Sequence, residues 1–194
     1  MQKHIIIIIP GLDDNEFNTN LIAKLWTKIY KVQVVPYFMY WKNKEDFDTK
    51  LQKLIQKIDE FYYQGFKISL VGTSAGGSVA INVFCKRKYK IHKVINVCGR
   101  LKKGKNVFPS LELASRSFHS FKESVLMCEK NINRLSKVDK QKILTIQPLY
   151  DEIVPISLIT IEGVKNIRIF SIEHMLSIFL SMTIYSKMII DFLL

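Results

Sequence analysis

Cysteine is scarce in this sequence, and acid is short against base. The three cysteines, Cys85, Cys98 and Cys128, are scattered with no C-x-x-C pair. That excludes a disulfide framework and a zinc site of ordinary spacing, and it points to a reducing, cytoplasmic setting. No His, Cys, Asp or Glu cluster has ligand spacing, so neither a metal nor a cofactor is expected. There is no internal repeat, linker or low-complexity stretch. Long apolar runs are missing too. The five isoleucines Ile5 to Ile9 are stopped by Pro10-Gly11 without a small-residue cleavage site, which reads as a buried strand and not a signal segment. From Met175 to Leu194 the chain is apolar, but Ser177, Ser181, Thr183, Ser186, Lys187 and Asp191 interrupt it. No transmembrane span is expected there, and a helix packed on a sheet accounts for the stretch.

Lys and Arg number 29 against 17 Asp and Glu, a net charge of +12. Such a balance invites nucleic acid or an anionic membrane. The lysines are spread along the chain, however. The densest basic stretches, Lys86-Arg87-Lys88 and Arg100 to Lys105, read as a helix end and a loop. No nucleic-acid partner is expected, while contact with a membrane surface stays open on charge grounds.

What is present is a chain of 194 residues, 48% apolar, enough for one globular domain with a substantial core. Its organising stretch is Gly72-Thr73-Ser74-Ala75-Gly76. An apolar run, Phe66 to Val71, precedes it, and an apolar helical pattern from Ser78 follows. A strand turning at once into a helix strains the corner residue and projects its side chain clear of the sheet. A helix N-terminus then lies behind that side chain, which suits a serine nucleophile needing backbone N–H donors. Read without that context, the same residues are only a glycine-rich turn.

In chain order, strands are expected at 3–9, 32–37, 66–71, 91–97, 143–147 and 166–170. Phe17, Leu21, Leu25 and Ile29 mark a helical stripe beside Ile22 and Trp26. Phe47, Leu51, Leu54, Ile58 and Phe61 mark another. Residues 100–140 form an excursion whose Phe118, Phe121, Val125, Cys128, Ile132 and Leu135 trace one long helix. A last helix is expected from about Met175 to the end. Alternating strands and helices imply a parallel sheet covered on both faces, with the ligand site at the strands' carboxyl ends.

A serine needs a base. Of four histidines, His4 and His92 begin strands, at the wrong end of the sheet, and His119 lies on the excursion's helix. His174, after the sixth strand, is at a carboxyl end. Asp151 follows the fifth strand and is the expected orienting carboxylate. Glu152 is the fallback.

In these residues the chain resembles the α/β-hydrolases, in particular the small single-domain serine hydrolases and lipase-like esterases. The resemblance spans nearly the whole chain. It rests on Gly72, Ser74 and Gly76 as the elbow, on Asp151-x-x-Val154-Pro155 as the acid loop, and on His174 before the final helix. It implies a three-layer α/β fold with a minimal, mostly parallel sheet of about six strands, the family's two leading antiparallel strands being absent. It implies Ser74, His174 and Asp151 as nucleophile, base and acid, with the N–H groups of Leu12 and Ala75 as the oxyanion hole. Two features depart from the family. Pro10-Gly11 stands where a His-Gly pair is common, and Glu173 replaces the usual glycine before the histidine, where a carboxylate would either raise the histidine's pKa or compete with Asp151. The expected activity is hydrolysis of small-molecule carboxylic esters or thioesters through an acyl-enzyme. An acyltransferase with the same three residues, or a non-catalytic binding protein on this fold, are the alternatives. Residues 100–140 would serve as a helical excursion or partial lid, with Phe108, Leu111, Leu113 and Phe118 either packed in the core, the commoner fate of such residues, or lining an acyl pocket.

Overall fold

The computed structural model describes residues 3–194; Met1 and Gln2, at the head of the N-terminal stretch discussed above, lie outside the described residues. Six strands form one sheet: β1 (His4–Ile9), β2 (Gln33–Pro36), β3 (Lys67–Thr73), β4 (Ile91–Val97), β5 (Ile143–Gln147) and β6 (Lys165–Arg168). Their order is β2-β1-β3-β4-β5-β6, and every pairing is parallel. Successive side chains of a strand point to opposite faces, so a strand covered on both sides reads as an unbroken apolar run. β1 shows this directly. Ile5, Ile7 and Ile9 enter one core, and Ile6 and Ile8 enter the other.

The first core is covered by α2 (Phe47–Tyr63), α3 (Ala75–Lys86) and α5 (His119–Ile132). The second is covered by α1 (Glu16–Tyr30), α8 (His174–Met182) and α9 (Ser186–Leu193). Short helices α4 (Leu111–Ala114), α6 (Lys137–Lys140) and α7 (Ile156–Ile159) punctuate the connections. The strand order reverses at β1, whose neighbours are β2 and β3. The loops after β1 and β3 therefore leave toward opposite faces, and a crevice opens between them at the carboxyl ends.

Three expectations are corrected. The stripe of Phe17, Leu21, Leu25 and Ile29 does not face the core. All four are exposed, and α1 buries Thr19, Ala23 and Trp26 instead. The last helix is two helices, α8 and α9, bent by 61°. Trp26 Nε1–H donates to the Met182 carbonyl at 2.8 Å, which takes that acceptor out of the helical ladder. The Ser186 N–H turns to the Thr183 carbonyl at 3.2 Å. The excursion holds three helices where one was expected, and its longest, α5, packs on α3 with Phe121, Val125 and Cys128 buried.

Arg100, read above as part of a basic loop, is 1% exposed. Its guanidinium donates to the carbonyls of Lys102, Pro109 and Lys103 at 3.2, 2.8 and 2.6 Å, and so folds the start of the excursion around itself. Of the four residues read as core or acyl-pocket lining, Leu111 is core and Phe118 packs against the core. Phe108 and Leu113 face outward.

Candidate active site

β3 ends at Thr73 and α3 begins at Ala75, leaving Ser74 alone at the corner. Its backbone sits at φ 49°, ψ −122°. A non-glycine residue holds such a conformation only where its surroundings impose it. Here the Ser74 N–H donates to the Val97 carbonyl at 2.9 Å, and the Ser74 carbonyl accepts from the Gly77 N–H at 3.0 Å. The flanking glycines are required by close approach. A Cβ on Gly72 would lie 2.2 Å from the Gly76 carbonyl oxygen, and one on Gly76 would lie 2.0 Å from that of Ile9. Neither obstacle is a flexible side chain, so the backbone itself must move. Gly76→Ala is expected to destabilise the protein by about 3 kcal/mol and to lower the melting temperature by roughly 10 °C. A variant that melted with the wild type would refute this account of the elbow.

His174, the first residue of α8, is buried and bonded at both ring nitrogens. Nε2 lies 3.0 Å from Ser74 Oγ, and Nδ1 lies 2.7 Å from Asp151 Oδ2. The Asp151 side chain is fully buried. Its other oxygen, Oδ1, accepts from the N–H groups of Ile153 and Val154 at 2.9 and 2.7 Å. An ionised carboxylate only accepts, so Nδ1 carries the ring proton and donates to Oδ2. Nε2 is then an unprotonated acceptor facing the Ser74 hydroxyl. Residues 100 and 23 positions apart in sequence thus form one hydrogen-bonded chain.

The neighbouring carboxylates do not compete for the ring. Glu173 caps α8, accepting from the N–H of Met175 at 2.8 Å and from that of Leu176. Those backbone donors hold its carboxyl below the usual range, so the charged cap is present at neutral pH and is lost as pH falls through the lowered value. Glu152, the fallback acid, instead accepts the backbone N–H of His174 at 3.0 and 3.3 Å. It clamps the loop after β5 to the start of α8, so it positions the histidine without touching the ring. Glu152→Leu removes that acceptor and is expected to lower kcat about tenfold by loosening the ring's placement. Glu152→Gln keeps one oxygen for the same N–H and should stay near wild type. Equal kinetics for the Leu and Gln variants would remove the clamp from the account.

The loop after β1 abuts the serine. A Cβ on Gly11 would come within 3.0 Å of Ser74 Cβ and 3.4 Å of its Oγ. Among the described residues, neither the Leu12 nor the Ala75 N–H is taken up by a hydrogen bond within the protein. The anchor of this loop escaped sequence reading. Asp14, at φ 44°, accepts from the N–H groups of Met39 and Trp41 at 3.1 and 2.9 Å. Burial pushes its carboxyl pKa up, against those two donors. Lys50, buried nearby, donates to the carbonyls of Met39 and Tyr40 at 2.8 and 2.7 Å and closes the same turn. A doubled acid after Pro-Gly, in Asp13-Asp14, was the only local signal.

The remaining histidines lie elsewhere. His4 and His92 meet edge to face at 5.9 Å at the amino ends of the strands, and burial pushes each pKa down to about 4. His119 is exposed beside Glu123. Two concavities, of 320 Å³ between α1 and β2 and of 360 Å³ beside the Tyr37–Tyr40 turn, also lie away from Ser74. The site is marked by its hydrogen bonds.

A parallel sheet in this order, with a serine elbow after β3 and its partners after β5 and β6, defines the α/β-hydrolase fold, and this chain has it. Solved structures of the same fold are similar over nearly the whole chain. One is from the metagenome-derived lipolytic enzymes LipS and LipT, at TM-score 0.68 and 10% identity, covering 98% of this chain and 92% of that one. Another is a carboxylesterase structure from the thaumarchaeon Nitrososphaera gargenis, at 0.70 and 13%, covering 96% and 89%. A third is the thioesterase domain of the curacin biosynthetic pathway, at 0.64 and 12%, covering 96% and 91%. No family model matches the sequence, and no curated protein matches it either.

Proposed function

We propose that this protein is a serine hydrolase of carboxylic esters or thioesters, with Ser74, His174 and Asp151 as nucleophile, base and orienting acid. The observation that carries the reading is the unbroken chain from Ser74 Oγ through His174 to Asp151, at 3.0 and 2.7 Å. As the Ser74 oxygen attacks the substrate carbonyl, its proton passes to His174 Nε2. The imidazolium so formed is held by the Asp151 carboxylate, which stays ionised. The carbonyl oxygen becomes an oxyanion and takes hydrogen bonds from the N–H groups of Leu12 and Ala75. On collapse, the bond to the alcohol or thiol breaks and the leaving group takes the proton from Nε2. A water then repeats the sequence on the acyl-enzyme, giving the free acid and restoring Ser74.

The structural neighbours support the ester and thioester classes, since those compared above are lipolytic, carboxylesterase and thioesterase proteins. The test is covalent labelling by a fluorophosphonate. The wild type should be labelled at Ser74 and Ser74→Ala should not. An unlabelled wild type would leave a binding protein on a hydrolase fold as the better reading. As part of the same proposal, residues 100–140, which carry the outward Phe108 and Leu113, serve as a helical excursion or partial lid.

A further inference from the structure

The loop that brings Leu12 to the serine is held by a half-buried carboxylate and a buried ammonium. The Asp14 N–H donates to the Gly11 carbonyl at 3.1 Å, which closes a four-residue turn with Leu12 and Asp13 at its centre. Gly11 runs against the Ser74 side chain, so close that an added Cβ would stand 3.0 Å from Ser74 Cβ. The place of the Leu12 N–H beside the serine is therefore set by whatever fixes Asp14.

Asp14 is fixed at both carboxylate oxygens. Oδ1 accepts from the Met39 N–H at 3.1 Å and Oδ2 from the Trp41 N–H at 2.9 Å. Lys50, on α2 and 3% exposed, serves the carbonyls of the same stretch. Its ammonium donates to Met39 at 2.8 Å and to Tyr40 at 2.7 Å, and it also reaches the Asn43 side-chain oxygen. An ammonium has three hydrogens, and these three acceptors take them. The segment 39–41 is thus gripped at its N–H groups by an anion and at its carbonyls by a cation. The two opposite charges attract across it.

Two observations set this arrangement apart from incidental packing. Asp14 and Tyr40 both hold left-handed backbone, at φ 44° and 50°, which non-glycine residues adopt only where their surroundings impose it. Taking a carboxylate and an ammonium out of water is unfavourable unless each is bonded, and an apolar pair would have anchored the loop more simply. Packing backs the turn on one side only. Met39 and Trp41 are buried in the core, while Pro36 to Tyr40 and Lys50 border the concavity of 360 Å³. What fixes the turn is its set of hydrogen bonds.

We propose that Asp14 and Lys50 act as one strut that positions the Leu12 N–H for the oxyanion, and so set the rate of the chemical step without touching the substrate. The inference rests on the serine-hydrolase reading and deepens it. Both are positioning residues, acting through the backbone of Leu12. The two donors of the hole are then set by separate parts of the fold. The Ala75 N–H is placed by the elbow, and the Leu12 N–H is placed from α2.

The test is kinetic, on the full chain with p-nitrophenyl esters. Asp14→Asn keeps the size of the side chain but accepts at one atom only, so either the Met39 or the Trp41 N–H loses its bond. Lys50→Met keeps the apolar stem and removes the charge. Each should lower kcat about a hundredfold, the loss expected for one oxyanion donor, with KM within about threefold of wild type. The double variant should lose no more than the worse single one, because the two residues act as a unit. A trifluoromethyl ketone, whose carbonyl takes up Ser74 Oγ to give an oxyanion, should bind more weakly by the same factor as kcat/KM falls. A residue that only supported the fold would not move inhibitor and rate in step. Lys53→Met breaks an ion pair with Glu45 in the same region and should leave kcat within about twofold. Asp14→Asn decides the matter alone if Lys50→Met does not fold. The proposal is overturned if a folded Asp14→Asn keeps wild-type kcat, if its loss lies in KM, or if inhibitor affinity does not follow the rate. It is also overturned if the two losses multiply in the double variant, or if Lys53→Met loses as much. In each of these cases a wild type labelled by fluorophosphonate leaves the serine-hydrolase reading standing. An unlabelled wild type overturns both.

Discussion

Ser74→Ala is expected to lower kcat on p-nitrophenyl esters by about six powers of ten while leaving the fold intact. The size follows from the role. The acyl-enzyme forms only on Oγ, and removing that atom leaves His174 with no proton to accept. What survives is the catalysis that oxyanion donors and substrate binding supply to a water. The fold should be indifferent, because Oγ has one hydrogen-bond partner, His174 Nε2. The strained corner is held by backbone bonds to Val97 and Gly77, which alanine keeps. Alanine has the same Cβ, so the positive φ is no harder for it than for serine. The check is a matched pair of measurements, steady-state kinetics and thermal melting. Residual turnover within a hundredfold of wild type, in a variant that melts normally, would move the nucleophile elsewhere.

Much of this site was legible because its residues are placed by local rules. A glycine two residues either side of Ser74 is demanded by contacts of 2.0 and 2.2 Å, and that demand is written as G-x-S-x-G. The runs 91–97 and 143–147 were read with their observed bounds, since their Ile, Val and Leu residues outweigh His92, Lys93, Asn96, Thr145 and Gln147 within them. The failures share a cause, which is competition from distant partners. Periodicity found the stripe on α1 but not its direction, because small Thr19 and Ala23 suit the inner face and Phe17 and Leu21 are free to lie outside. The break between α8 and α9 has neither proline nor glycine. At it the Met182 carbonyl accepts from Trp26, 156 residues away. Glu152 and Asp14 were missed as positioning residues for the same reason, since each acts on the backbone of a remote loop.

Asp151→Asn is the sharpest test of the proposed chain after the serine itself, because it changes one atom and reverses one proton. The native carboxylate is asymmetric in use. Oδ1 takes two backbone N–H groups, from Ile153 and Val154, and Oδ2 takes the His174 ring N–H. Asparagine has one accepting oxygen. Turning its NH2 toward the backbone would set it against two donors in a fully buried place, leaving polar hydrogens unsatisfied. The side chain therefore keeps its oxygen on the loop and presents NH2 to Nδ1. Nδ1 must then accept, so the ring proton moves to Nε2, and the nitrogen facing Ser74 can no longer take the hydroxyl proton. The expected loss in kcat is about three to four powers of ten, with KM little changed. Glu173→Gln, whose side chain caps α8 and makes no bond to the ring, should retain most of its activity. If Asp151→Asn stayed within tenfold of wild type while Glu173→Gln lost its turnover, the histidine would be oriented by Glu173 and the assignment of the acid would be wrong.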